Sequence, residues 1–214
     1  MKQFKCLIFD FDGTLADTSE GILHTEEAML RQMGLPMGEP AQMRQGIGLP
    51  LRDSIRVGCR IEESRLDEAV TTYRSLFNEV ALQYIVAFPG VKETLEYLSE
   101  KGYIMGIATS RSRNSLVYLL DKMEIAPFFQ ELCSVDCTER HKPEPDQTLY
   151  LLEKFGVSGD DTLVIGDTIY DLMMARGAGC HTCGVSYGNH TKEQLASVYP
   201  DYILDSFDQL KNIL

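Results

Sequence analysis

Residues 5–15, Lys5-Cys6-Leu7-Ile8-Phe9-Asp10-Phe11-Asp12-Gly13-Thr14-Leu15, constrain the chain more than any other stretch. An unbroken apolar run ending abruptly in acids predicts a strand buried on both faces of a parallel sheet, because a strand with one wet face alternates polar and apolar residues. Such sheets bind ligands where the carboxyl ends of their strands emerge. If the extended backbone continues through Phe11, Asp10 and Asp12 project to the same side and share one small space. Two carboxylates so placed repel each other unless a positive group lies between them or one holds a proton. Gly13 permits a sharp turn or a close backbone approach. A divalent cation with a phosphate fits that arrangement.

The rest of the chain is organised around this strand. Asp17-Thr18-Ser19-Glu20 reads as a helix start, with Asp17 the N-cap and Glu20 completing a capping box. Ile22, Leu23, Met29, Leu30 and Met33 then recur at helical spacing until Gly34 and Pro36. The pattern stays helical to about Val86, interrupted at residues 37–40 and 46–50, with no strand evident. Helices inserted before any second strand predict a separate helical lobe rather than an ordinary crossover. This divides the chain into an α/β core, residues 1–16 and 87–214, and a helical insert, residues 17–86.

Beyond the insert, apolar strands alternate with helices: Tyr103 to Thr109, Leu132 to Val135, Thr162 to Asp167, Thr182 to Ser186 and Tyr202 to Leu204. His141-Lys142-Pro143-Glu144-Pro145 reads as the opening of a helix, since proline is tolerated in a first helical turn. A terminal helix runs from Ser206. Alternating strands and helices give a doubly wound parallel sheet. Right-handed crossovers bring every strand's carboxyl end to one edge, so Asp10, Asp12, Thr109 and Asp167 converge, with Lys142 completing the set.

Composition narrows the partners. The net charge of -12 argues against general binding to nucleic acid or anionic membranes, which requires basic patches, while leaving room for a local phosphate pocket. With 44% hydrophobic residues the chain can fill a complete core, yet no apolar run is long enough to span a bilayer. No signal-peptide pattern accompanies the six cysteines, so a reduced cytoplasmic protein with free thiols is expected. Cys180 and Cys183 form a C-x-x-C pair at the start of a strand. Positions three apart on a strand face opposite ways and no second C-x-x-C exists, which favours structural thiols over a zinc or redox site.

Four elements now stand in order: Asp10-Phe11-Asp12-Gly13-Thr14, then Thr109, then Lys142-Pro143, then Gly166-Asp167 with Asp171. Together they resemble the haloacid dehalogenase superfamily of aspartate-nucleophile hydrolases over nearly the whole chain. The resemblance implies that Asp10 attacks phosphorus and becomes an aspartyl phosphate. It implies that Asp12 protonates the leaving alcohol and later deprotonates water, which needs a carboxyl that holds a proton well above its reference pKa of ~3.9. Mg²⁺ is expected on the carboxylates of Asp10 and Asp167 and the backbone carbonyl of Asp12. Lys142 and Thr109 are expected to hold the equatorial phosphoryl oxygens. Asp171 is expected behind them, orienting Lys142 or a metal-bound water. Each residue alone has a plainer reading, as a helix cap, a turn hydroxyl or a surface charge; the set at one sheet edge favours chemistry.

Asp12 argues against a dehalogenase, whose members usually lack that second acid. Gly46-Ile47-Gly48-Leu49-Pro50-Leu51-Arg52, Phe88-Pro89-Gly90-Val91 and Pro200-Asp201-Tyr202 are similar to phosphoglycolate phosphatases and their pyrophosphatase relatives, and the insert resembles the family's C1 cap. Gly46 and Gly48 read either as a substrate-facing loop, with Arg52 meeting an anionic tail, or as an ordinary interhelix turn. Ser110, Arg111 and Asn114 are candidate rim contacts. The expected reaction is hydrolysis of a small-molecule phosphate ester, phosphoglycolate first, by a monomer or weak homodimer. A β-phosphoglucomutase-like mutase shares all four core motifs. A phosphorylated receiver module is the alternative from another class, but receivers are shorter and lack the insert.

Overall fold

The computed structural model describes residues 4–214. Strand β1 (Cys6–Phe9) leads to β2 (Ala16–Asp17) and a helical stretch, α1 (Ser19–Gln32), α2 (Pro40–Met43), α3 (Leu51–Gly58) and α4 (Leu66–Val80), before β3 (Val86–Ala87). Strands and helices then alternate: α5 (Val91–Glu100), β4 (Ile104–Ala108), α6 (Arg113–Lys122), β5 (Glu131–Cys133), α7 (Asp146–Phe155) and β6 (Thr162–Gly166). The chain finishes with α8 (Ile169–Gly177), β7 (His181–Val185), α9 (Lys192–Ala196), β8 (Tyr202–Leu204) and α10 (Leu210–Ile213).

Six strands form one sheet in the order β5-β4-β1-β6-β7-β8, every pair parallel, giving the expected doubly wound α/β fold. β1 is central, with Cys6 opposite Ile104 on one side and Thr162 on the other. Alternate residues sort to opposite faces as a pleated strand requires. Leu7 and Phe9 join Met105, Ile107, Leu163 and Ile165 in one buried cluster, while Cys6 and Ile8 join Ala108, Cys133 and Val164 in the other. Cys183 lies in the first cluster and Cys180 in the second, and all six cysteines are free thiols. After β1 the connections run toward β4 and β5, and after β6 toward β7 and β8. That reversal opens the crevice between β1 and β6 in which such sheets hold ligands.

Residues 18–85 hold helices and turns only, and the ends of this stretch meet in a two-stranded antiparallel pair, Ala16 opposite Ala87 and Asp17 opposite Val86. Both boundaries drawn from the sequence, after residues 16 and 86, fall within this pair. Met29, Leu30, Ile55, Leu66, Tyr73 and Phe77 form the buried side of the insert's helices, in the same cluster as Leu7 and Phe9 of the sheet. No helix among the described residues is long and apolar enough to cross a membrane.

Three local expectations are corrected. The ladder of β1 ends at Phe9 instead of extending through Phe11, because Phe11 O accepts the amides of Leu15 and Ala16 at 3.0 Å and turns the chain. Asp17 is not the N-cap of α1; its backbone pairs with Val86, so the cap falls to Thr18, and Glu20 reaches Arg44 at 2.5 Å. α7 begins at Asp146 rather than Lys142. Residues preceding proline disfavour the helical region, and both Lys142 and Glu144 precede one; the segment stays a turn closed by Glu144 N donating to His141 O at 2.9 Å.

Candidate active site

The carboxyl ends of β1, β4 and β6 deliver Asp10, Thr109 and Asp167 to the crevice, and all three are buried. Asp10 N still donates to Ile165 O at 2.9 Å, so the nucleophile candidate is fixed to the neighbouring strand just as the ladder ends. Lys142 reaches in from the turn before α7. Its Nζ lies 2.5 Å from Asp10 Oδ1 and 2.6 Å from Asp171 Oδ1, with all three side chains at most 5% exposed. Burial works against the ammonium, but Asp10 and Asp171 outweigh it and hold the Lys142 pKa above its ordinary value.

One cation does not balance this site. Burial raises the Asp10 pKa well above the usual carboxylate range; Lys142 opposes that rise, and the charges of Asp171, Asp167 and Asp12 add to it. Burial and the nearby Asp171 push Asp167 up to about 7, against the hydrogen bonds from Asn189 and the charge of Lys142. One carboxylate oxygen each from Asp10, Asp167 and Asp171 lie within 4.8 Å of one another. Three buried acids around one ammonium form a donor set of hard oxygens suited to a small divalent cation.

The backbone is shaped to this cluster. Gly13 has φ +85, a conformation that L side chains rarely adopt, and a Cβ there would stand 2.1 Å from Asp167 Oδ2. Asn189 donates both its backbone N and its Nδ2 to that same oxygen at 2.7 Å, while Thr14 Oγ1 donates to Asp167 Oδ1 at 3.3 Å. Asp171 doubles as a helix cap: its Oδ2 accepts Thr168 N at 3.0 Å and Thr168 Oγ1 at 2.6 Å at the start of α8. Capping leaves its other oxygen toward Lys142, the orientation expected of it.

Asp12 takes a different partner from Asp10. Arg111 Nε donates to Asp12 Oδ2 at 3.1 Å and Arg111 Nη2 to Asp12 Oδ1, a bidentate pair with side chains 8% and 13% exposed. The guanidinium also donates to Ser115 Oγ at 2.8 Å and stands over the rings of Phe11 at 5.7 Å and Phe77 at 5.0 Å. Burial would lower its pKa, but the Asp12 carboxylate raises it further. Arg111, expected at the rim, therefore belongs to the floor of the site.

Thr109 Oγ1 accepts Arg111 N at 3.2 Å, and Gln147 Nε2 donates to Thr109 O at 2.8 Å and to Cys133 O at 3.4 Å, tying two strand ends together. Ser110 Oγ donates to Gly48 O at 2.9 Å, so the loop of the insert is fastened to the sheet beside Thr109. A cavity of about 650 Å³ spreads above this floor, lined by Asp10, Asp12 and Thr109 below and by Gly48, Tyr73 and Phe77 of the insert above.

Gly48 lines that cavity, but Gly46 does not; a Cβ at Gly46 would stand 2.5 Å from Ser54 O, so its smallness serves packing. Arg52 also lines it, with its guanidinium engaged by Glu63 at 2.6 Å and by Asp67. Gln147 and Asn189 were missed in the sequence. Asn189 follows β7 at the same sheet edge as the acids, so extending the strand-end argument to a further strand points to it; Gln147 carried no signal.

The family model of haloacid dehalogenase-like hydrolases matches residues 7–185. The chain is 34% identical over 208 residues to the probable phosphatase IndB of Dickeya dadantii, covering 95% of this chain and 90% of that protein. It is 28% identical to a phosphoglycolate phosphatase of Nitrosococcus oceani, covering 100% of this chain and 98% of the relative. The crystal structure of a predicted phosphoglycolate phosphatase from Haemophilus somnus superposes with a TM-score of 0.91 at 27% identity, covering 100% of this chain and 99% of that one. With the family model spanning most of the sheet and its insert, the chain belongs to the haloacid dehalogenase-like hydrolase family, in a phosphoglycolate phosphatase-like branch.

Proposed function

We propose that this protein is a Mg²⁺-dependent phosphatase that hydrolyses a small-molecule phosphate monoester through a phosphorylated Asp10, with phosphoglycolate, named in its relatives, as the first compound to test. The observation that carries the reading is Lys142 clamped between Asp10 and Asp171 while Asp167 leaves the cluster short of positive charge. Asp10 Oδ1 is held by Lys142, which fixes the carboxylate for in-line attack on phosphorus. Attack forms the Oδ–P bond of an aspartyl phosphate as the P–O bond to the alcohol breaks; water then cleaves the acyl phosphate and regenerates the carboxylate.

Lys142 and the Thr109 hydroxyl would donate to the equatorial oxygens, at which charge develops in the transition state. Asp12 gives its proton to the departing alkoxide and later takes one from the attacking water. To do so it must first exchange its two guanidinium donors, so release of Arg111 belongs to the approach to the reactive state. Asp10 and Asp167, and by resemblance the backbone carbonyl of Asp12, are the residues that would hold Mg²⁺. When bound, the ion supplies positive charge to the phosphoryl oxygens and lowers the repulsion within the acid cluster. The helical insert acts as a cap that excludes water from the crevice, through the Ser110–Gly48 and Ser19–Asn189 hydrogen bonds that join it to the sheet.

Phosphate release from a panel of metabolite phosphates, with and without Mg²⁺, tests the reading. Metal-dependent release that Asp10→Asn abolishes is the expected result. No release from any ester overturns it, and isomerised product without free phosphate replaces it with a mutase.

A further inference from the structure

One edge of α4 borders the cavity, with Tyr73 and Phe77 also packed in the core and Arg74 and Asn78 exposed. Val70, Tyr73, Arg74, Phe77 and Asn78 all line it, at the i, i+3, i+4, i+7, i+8 spacing of a single helical stripe. At 1.5 Å per residue, this stripe runs for about 12 Å. Its direction is fixed by Phe77, whose ring lies 5.0 Å from the Arg111 guanidinium that grips Asp12. The catalytic end of the stripe is thus at Phe77 and Asn78, and the cavity extends from there past Tyr73 and Arg74 toward Val70.

A two-carbon phosphate ester leaves most of such a space unfilled. Phosphoglycolate has about nine non-hydrogen atoms, a volume on the order of five waters or 150 Å³. The cavity of about 650 Å³ lies in the middle of the range for sites that enclose ligands several times larger.

The charges point the same way. Of the arginines that line the cavity, Arg52 is held by Glu63 and Asp67, and Arg111 is held by Asp12 until the reactive state forms. Arg74, exposed and with no ion-pair partner among the described residues, stands a helical turn beyond Phe77. Tyr118 of α6 adds a ring at the mouth, half-exposed at 50%.

We infer that the substrate is a phosphate monoester whose leaving group carries a ring that lies along Tyr73 and Phe77 and turns a hydrogen-bonding edge toward Arg74. This rests on the phosphatase reading above and narrows it to ring-bearing esters.

The experiment compares kcat/KM, with Mg²⁺ present, for primary esters of matched leaving-group chemistry: ethyl phosphate, phosphoglycolate, 2-phenylethyl phosphate and 2-(pyridin-3-yl)ethyl phosphate. The ring-bearing esters are expected to exceed the two-carbon esters by roughly 10- to 100-fold, the scale on which pockets discriminate by shape. The pyridyl ester is expected to lead, and Arg74→Ala to remove that lead. Val70→Trp, which enlarges a half-buried side chain at the far end of the stripe, is expected to collapse the ring-to-ethyl ratio toward one. Phosphate release that favours phosphoglycolate or ethyl phosphate overturns the inference and leaves the phosphatase reading standing. A ratio unmoved by either variant overturns the assignment to α4. Release from none of the four esters, or from the wider metabolite panel, overturns both.

Discussion

Asp12 and Arg111, 99 positions apart in sequence, are joined by two hydrogen bonds in a site that water barely reaches. Removing one partner of such a pair strands the other charge, which costs about 3–5 kcal/mol. Arg111→Ala is expected to destabilise the protein on that scale in urea denaturation. Arg111→Lys, which keeps the charge but loses the fork, is expected to recover only part of it. An alanine variant as stable as wild type would contradict the pairing.

Lys142 is the only ammonium in contact with the buried acids among the described residues. Lys142→Met keeps the length of the side chain and deletes its charge. Loss of one donor to the developing phosphoryl charge is expected to lower kcat about 10²- to 10³-fold. Circular dichroism should show the fold retained, and a kcat within a few-fold of wild type would remove Lys142 from the mechanism.

Gly13 places backbone where a side chain would displace Asp167. Gly13→Ala is therefore expected to disturb the acid cluster before it disturbs the fold. A ligand that binds only the native state at 100 times its Kd adds about 2.7 kcal/mol of stability. Wild type is expected to gain Tm on adding Mg²⁺ and to lose the gain with EDTA, while the variant gains little. Equal thermal shifts in the two proteins would show that the glycine does not serve the cluster.

Glu26 of α1, buried against Ser54 of α3, gives the insert a pH dependence of its own. Burial pushes its pKa up to about 8, against hydrogen bonds with Cys59 and Ser54, and Oε2 has no partner. The folded state thus holds this proton more tightly than the unfolded chain does. The associated stability is complete below the unfolded pKa of about 4.5 and drains away as pH rises through 8. Glu26→Gln is expected to change little at pH 5 and to stabilise by on the order of 3–5 kcal/mol above pH 8. Urea midpoints at the two pH values check this, and parallel profiles for variant and wild type would sink it.

The sheet was legible because each strand is a short apolar run closed by a polar residue, and parallel topology then places Asp10, Thr109 and Asp167 together without further information. Asp171 was legible for a local reason, one helical turn beyond Asp167. What escaped depended on packing between distant segments. Gly46 and Gly48 look alike in sequence, yet Ser54 crowds one and the cavity meets the other. Arg111 looked like a rim residue because its depth is set by Phe77, a residue of the insert whose position no strand pattern encodes. Asp17 had the chemistry of a cap, but pairing with Val86 claimed its backbone first.

That short pair, Ala16 with Ala87 and Asp17 with Val86, makes the helical stretch leave the sheet and return to it through a single doorway. Paired strands stand about 5 Å apart, so both ends of the stretch are anchored at nearly one point. Any displacement of the helices relative to the sheet then reduces to swinging about one short axle. Fixing that axle, for instance by stiffening the backbone on either side of Leu15 and Phe88, would set the angle at which Phe77 is presented to Arg111 and through it the freedom of Asp12.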